Sequence, residues 1–388
     1  MKTKVINQKT IRVENRKKIL QLLIKKRELT IPEISWELKI SIPTVTKNIN
    51  QLIAEGIAEE AGVSESTGGR KPVIIRFLPD SYYSIGVEFA IEYVRIVLTN
   101  LDSVIKVDRR LKNVNFKDID TLMKAIQLEV DSLLQEKKIS VERMLGIGIS
   151  LPGTVNEETK FLKIAPNIGI KNVDFTKYEP LFQVPLFVEN DANLAAVAEL
   201  TLGIAKTMRN LVYIYILSVG IGCGIVVEGE IYRGRNKRAG EISHMTVASY
   251  GKQCSCGRRD CWELYASANV LVTMYREKTG KDIYTLEDFF ALLKKYEPAA
   301  AEVFDKYLED LALGIQNLIL IQDPHDIIIG GILSRFEEFF LEPLQEKIFV
   351  ENNLYTSNDV TIMWSTLKED GPILGASLLP FKKMFFAM

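Results

Sequence analysis

The chain has 388 residues, enough for two or three domains around packed cores. Its composition is that of an ordinary globular protein, 47% hydrophobic and 26% charged, and it has no apolar run of membrane-spanning length. The net charge of −1 hides an asymmetry: residues 1–76 carry 15 Lys/Arg against 8 Asp/Glu, and the remainder 34 against 42. A small basic front on a larger acidic body suits contact with a polyanion, although short segments also fluctuate by several charges. The polar, lysine-bearing first ten residues lack the apolar stretch of a secretory signal, so a cytoplasmic location and no membrane partner are expected.

In chain order, Val13 to Leu29 reads as an amphipathic helix carrying Ile19, Leu22, Leu23 and Ile24 among lysines and arginines. Thr30 is an N-cap candidate, with Pro32 early and Glu33 three residues on, and opens a helix to about Leu38. Ser41 opens the next, in which Val45, Ile49 and Leu52 share a face until Gly56. Two short helices separated by Lys39-Ile40 make a helix-turn-helix. Strands follow at Ile57–Ala61 and Val73–Phe77, and the polar, glycine-bearing stretch between them is a hairpin wing.

The second helix of such a motif lies in the major groove. Pro43, Thr44 and Lys47 are its outward candidates for DNA, though a plain solvated face would look the same. In the wing, Gly69 permits close backbone approach, and Arg70 and Lys71 supply the cations that read a narrow minor groove.

Pro79-Asp80 reads as a boundary, which divides the chain into 1–78 and 79–388. The larger part has α/β texture, with strands expected at Ser84–Leu98, Leu145–Ser150, Leu186–Val188, Leu211–Ile216, Gly224–Val227 and Ile327–Ile329. Helices are expected at Thr121–Gln135, Ala192–Leu200, Ala266–Lys278 and Ala299–Ile321.

Three of the four cysteines and one of the two histidines cluster as H-x9-C-x-C-x4-C, at His244, Cys254, Cys256 and Cys261. Three thiolates and an imidazole suit tetrahedral Zn(II), and with no open position implied the zinc would be structural. Cys223 stands apart in an apolar stretch and reads as core. Glu189-Asn190-Asp191 ends an apolar strand just before a helix, a usual place for a site in α/β folds. Carboxylates and amides there, with Glu241, His244 and Glu263, offer directional hydrogen bonds to sugar hydroxyls. For each of these taken singly, an ordinary surface side chain would be the better reading.

Together these motifs closely resemble the ROK family, named for repressors, open reading frames and sugar kinases. The resemblance spans essentially the whole chain. It is carried by Leu151-Pro152-Gly153, Pro166-Asn167, Glu189-Asn190-Asp191-Ala192-Asn193, Gly220-Ile221-Gly222-Cys223-Gly224, Gly240-Glu241-Ile242-Ser243-His244, the cysteine motif through Trp262-Glu263, and Ile329-Gly330-Gly331. Cys261 to Ser267 looks especially like the xylose repressors of the family. The resemblance implies an α/β fold in which the winged helix-turn-helix precedes a two-lobed, actin-like ATPase domain of the sugar-kinase, RNase H-like kind. The implied lobes are about 79–190 with the C-terminal helix, and 191–370. It also implies a monosaccharide such as xylose or glucose in the interlobe cleft, held by Asn190, Asp191, Glu241, His244 and Glu263, with weaker contacts at Gly153 and Asn167. His244 would also ligate the zinc, and Asp191 matches the general base of the kinases.

Two departures stand out. Where the kinase phosphate loop reads Asp-x-Gly-Gly-Thr, this chain has Glu88-Phe89-Ala90-Ile91-Glu92, and Ile221 replaces a later threonine. A second carboxylate repels a triphosphate, so ATP is not expected and Asp191 would be a vestigial base. Ser243 stands where the family usually has glycine. The expected protein is therefore a sugar-responsive repressor of carbohydrate-utilisation genes rather than an ATP-dependent sugar kinase. Its expected partners are palindromic operator DNA, a monosaccharide and a second copy of itself, with pairing of dimers into tetramers left open.

Overall fold

A computed structural model describes residues 8–63, 72–350 and 354–385, with side chains from residue 11 onward. The N-terminal unit comprises α1 (Gln8–Lys26), β1 (Glu28–Thr30), α2 (Ile31–Leu38), α3 (Ile42–Ala54), β2 (Ala58–Val63) and β3 (Val73–Phe77). The first helix stops short of Leu29. Arg27 takes a positive φ of 73°, and the next three residues pair with β3, Leu29 opposite Ile75. The cap on α2 forms reciprocally: the Thr30 hydroxyl accepts the Glu33 N–H, and the Glu33 carboxylate accepts the Thr30 N–H at 2.7 Å. Ile34, Val45, Ile49 and Leu52 bury their faces against Ile19, Leu20, Leu23 and the sheet β1-β3-β2.

The first lobe contains β4 (Tyr83–Phe89), β5 (Tyr93–Asn100), β6 (Ile105–Lys112), α4 (Ile119–Lys137), β7 (Met144–Leu151), β8 (Thr154–Asn156), β9 (Phe161–Ala165), β10 (Ile170–Asp174) and β11 (Leu186–Asn190). The single strand expected at 84–98 is a hairpin that turns at 90–92, pairing Phe89 with Val94. Both arms are almost wholly buried, so neither shows the alternation that would mark it as a separate strand.

The second lobe contains α5 (Asp191–Thr201), β12 (Leu211–Ile216), β13 (Ile221–Val227), β14 (Glu230–Ile231), α6 (Glu263–Ala266), α7 (Asn269–Thr279), α8 (Leu286–Lys294), α9 (Pro298–Gln322), β15 (Asp326–Gly331), α10 (Glu337–Ile348) and β16 (Thr361–Trp364), before the final helix α11 (Gly371–Phe385). The helix expected at 266–278 is broken: Ser267, extended at ψ 156°, separates α6 from α7.

Both lobes carry a five-stranded sheet of the same order, β6-β5-β4-β7-β11 and β14-β13-β12-β15-β16. In each, an antiparallel meander of three strands is extended by two parallel ones. The duplicated order is the signature of a two-lobed domain with a cleft between its halves. Alanine-rich α5 fits this frame because α11 and β13 press on it. A Cβ at Gly375 would stand 2.1 Å from the Leu194 carbonyl, and one at Gly224 2.7 Å from that of Ala192. At its far end α11 inserts Leu378 and Phe381 into the core of the N-terminal unit. Among the described residues no helix is long and apolar enough to cross a membrane.

Candidate effector pocket and metal centre

Seven residues singled out from the sequence, Gly153, Asn167, Asn190, Asp191, Glu241, His244 and Glu263, line one cavity between the lobes. Its floor is the junction of β11 with α5. Asn190 caps that helix through its side-chain oxygen, which accepts the Asn193 N–H at 3.0 Å, while its amide nitrogen donates to the Gly153 carbonyl at 3.0 Å. One side chain thus ties the first lobe's 151–154 turn to the helix that presents Asp191. Gly153 has φ +82°, and a Cβ there would lie 2.2 Å from the Ile164 carbonyl oxygen. Only glycine lets the turn close over the pocket.

Asp191 stands at the first turn of α5, its carboxylate accepting the Ala192 N–H at 2.8 Å. Burial pushes this carboxyl up to about 7, and the nearby Glu241 adds to the rise. Glu241 is oriented by the Thr154 hydroxyl, which donates to it at 2.7 Å across the cleft. Asn167 reaches over from the first lobe and donates to the Val219 carbonyl at 3.4 Å. The pocket therefore offers carboxylate acceptors, amide donors and an imidazole, set among apolar wall residues such as Pro152, Val155, Leu217 and Ile221. Ser243, the departure from glycine, is buried at 4% exposure and lines the same pocket.

Sequence reading missed Arg233 and Lys237, which also line it. Arg233 donates to the buried Glu189 carboxylate at 2.6 and 2.8 Å, and Lys237 pairs with Glu157 and Glu158 at 2.8 Å. No spacing signal marks either cation; only the fold brings Arg233 to β11 and Lys237 to the turn after β8.

His244, Cys254, Cys256 and Cys261 form the cluster that could hold a metal ion, their ligand atoms all within 4.8 Å of one another. The Cys256 and Cys261 sulfurs are 3.7 Å apart, and Cys254 Sγ is 3.7 Å from His244 Nδ1. A tetrahedral thiolate centre with bonds of about 2.3 Å has edges of roughly 3.8 Å, so donor set and spacing fit a closed four-coordinate site. The loop is ordered by Asp260, also unforeseen. Its carboxylate accepts N–H bonds from Gly251 at 2.7 Å and Lys252 at 2.9 Å and the Tyr265 hydroxyl proton at 2.5 Å. The Tyr265 hydrogen bond, more than the backbone ones, holds Asp260 below the usual carboxylate range. Centre and pocket share a wall: Glu263 lies 3.6 Å from His244 Nδ1 and accepts from the Cys254 thiol at 2.9 Å.

On α3, Pro43 and Lys47 are exposed and Thr44 is half-buried, its hydroxyl 2.9 Å from that of Ser41. Gly69, Arg70 and Lys71 lie outside the described residues.

These features define a class: a two-lobed, sugar-kinase-like domain that carries a winged helix-turn-helix. The chain belongs to the ROK family, which it matches over residues 84–383, and residues 12–59 match the winged helix-turn-helix DNA-binding family. It is similar to the xylose repressor of Bacillus subtilis (strain 168), 29% identical over 378 residues that cover 96% of each chain. Among solved structures it is similar to a ROK family transcriptional regulator described as a homolog of the E. coli Mlc protein, with TM-score 0.80, 24% identity and 96% of each chain covered. It also resembles a ROK family glucokinase from Streptomyces griseus in complex with glucose and AMPPNP, with TM-score 0.64, 23% identity, 76% of this chain and 98% of that one. At these identities the structural likenesses speak for the fold.

Proposed function

We propose that this protein is a sugar-responsive transcriptional repressor of carbohydrate-utilisation genes. The observation that carries the reading is the combination in one chain of a winged helix-turn-helix with an interlobe pocket where Asn190, Asp191, Glu241, His244 and Glu263 converge. The effector is a monosaccharide, and the similarity to xylose repressors favours xylose, with glucose next. Pro43, Thr44 and Lys47 on α3, with Gly69, Arg70 and Lys71 of the wing, are the proposed DNA contacts. The unit boundary near 78–79 separates DNA binding from sugar binding, and a homodimer presents two such units to a palindromic operator in the cytoplasm.

The metal is zinc, held by His244, Cys254, Cys256 and Cys261. It would supply a rigid cross-link that fixes the loop bearing His244 and Glu263 against the pocket. It would also keep the three sulfurs as thiolates.

The protein works without ATP. Glu88 stands at the carboxylate position of the phosphate loop, but Ala90 and Ile91 replace its glycines and Glu92 its threonine, which adds a second carboxyl group. The added Glu92 carboxylate would repel a triphosphate brought to this turn. Asp191 keeps the kinase base in place, which favours a residual kinase as the second reading. A thermal-shift panel of monosaccharides tests the first reading and a coupled ATP-consumption assay with the same sugars tests the second. Stabilisation by at least one sugar with no ATP turnover is expected. Turnover with any sugar would replace the sensor by an enzyme.

A further inference from the structure

Beside the effector pocket lies a second cavity of about 260 Å³, between the lobes. The two share Pro152, Asn167, Asp191 and Leu217. The second is lined by four carboxyl groups, Glu88, Glu92, Asp191 and Glu369, with the rings of Tyr93 and Tyr215, and no Lys, Arg or His among the described residues lines it. A kinase-like cleft built to receive an anion has become an acidic one.

Glu88 is the unusual member. It is only 7% exposed, and among the described residues no hydrogen bond or ion pair reaches its carboxyl. The neighbouring Arg95 is already held by Asp108 at 2.7 Å and Asp370 at 2.5 Å. A buried, unpartnered carboxyl is costly, and it lines a cavity with room for a partner. The complementary ligand carries N–H donors and positive charge for the carboxylates and a short carbon skeleton for the aromatic faces. A directly ligated divalent metal fits less well. Among the described residues, the His244 and cysteine cluster alone brings three or more His, Cys, Asp or Glu donors together closely enough to hold an ion.

We propose that this cavity binds a small primary ammonium ion, received by Glu88 and flanked by Tyr93 and Tyr215. Its walls come from both lobes, from Glu88 on β4 to Asn269 at the start of α7 and Ile332 after β15, so occupation pins the cleft at one opening. The site stands on the cleft geometry and does not depend on the identity of the sugar.

Binding is linked to protons. Glu88 faces Arg95 and Arg110, which favour its charge, and Asp191 and Asp370, which oppose it, with Tyr93 and Tyr215 on the adjoining walls. Burial is the largest influence and pushes Glu88 up to about 8. A cation binds the ionised carboxylate and expels the proton, so affinity rises with pH while the amine stays protonated.

The test is titration calorimetry of the full chain with ethanolamine. Ethylene glycol serves as the uncharged control, and magnesium chloride and inorganic phosphate as alternative ligands. Saturable ethanolamine binding is expected, tighter at about pH 8 than at about pH 6 and about tenfold weaker in Glu88→Gln, with no binding of glycol or phosphate. Unliganded Glu88→Gln should melt no lower than the parent. If it does not fold, Glu369→Gln, which also lines the cavity although Arg335 holds its carboxylate at 2.5 Å, must weaken ethanolamine instead. Ethanolamine heats equal to those of glycol, binding unchanged in both variants, or saturable magnesium binding lost in Glu88→Gln would each overturn the proposal.

Discussion

Asp191→Asn should make the protein more stable at neutral pH, and by an amount that grows with pH. The change preserves shape and the oxygen that accepts the Ala192 N–H. It removes the carboxyl that burial raises from 3.8 to about 7 in the folded chain. Between those values the folded state holds a proton that the unfolded state has released, so stability falls as pH rises and the loss is complete above about pH 7. At about 1.4 kcal/mol per pH unit, the advantage of the variant should widen by about 2–3 kcal/mol from about pH 5 to about pH 7. Urea unfolding followed by tryptophan fluorescence reports on the right region. Trp262 and Trp364 are 0% and 8% exposed in the second-lobe core, whereas Trp36 is 82% exposed and barely changes on unfolding. A gap that stays constant across this range would show that Asp191 is ionised and solvated in the folded state, and would refute the desolvated pocket floor.

Cys256→Ser should drop metal content from about one zinc per chain to well below it and destabilise the domain, as elemental analysis and thermal melts would show. Gly153→Ala forces a side chain to 2.2 Å from the Ile164 carbonyl at φ +82°. It should lower the melting temperature and weaken sugar-induced stabilisation, both read in one thermal-shift series. Lys47→Ala, on the exposed face of α3, should weaken operator binding across sequences and reduce the slope of log affinity against log salt by about one, measured by fluorescence anisotropy.

The parts legible in the sequence are those with local causes. The Thr30–Glu33 capping box, the Val45-Ile49-Leu52 stripe and the spacing of His244 and the three cysteines are each written in a few adjacent residues. The structure adds what depends on distant partners. Nothing near Arg27 announces a strand at Glu28–Thr30, because its partner is Ile74–Arg76. The hairpin turn at 90–92 was hidden because strands buried on both faces lose their alternation. Arg233 reaches Glu189, 44 residues away in sequence, and Thr154 reaches Glu241 across 87, so no local pattern could have placed either contact. The alanines of α5 read as a good helix former, but their size is set by the close approach of Gly375 and Gly224.

The most direct measurement is operator binding by the full chain in a mobility-shift titration, with and without xylose, glucose and other monosaccharides. The account predicts that at least one sugar changes the operator Kd by about fivefold or more. Asn190→Ala, which unties the 151–154 turn from α5, should abolish that response and leave sugar-free DNA affinity in place. Operator binding indifferent to every sugar, at concentrations that saturate the pocket in thermal shift, would contradict the claim that the pocket governs the DNA-binding unit.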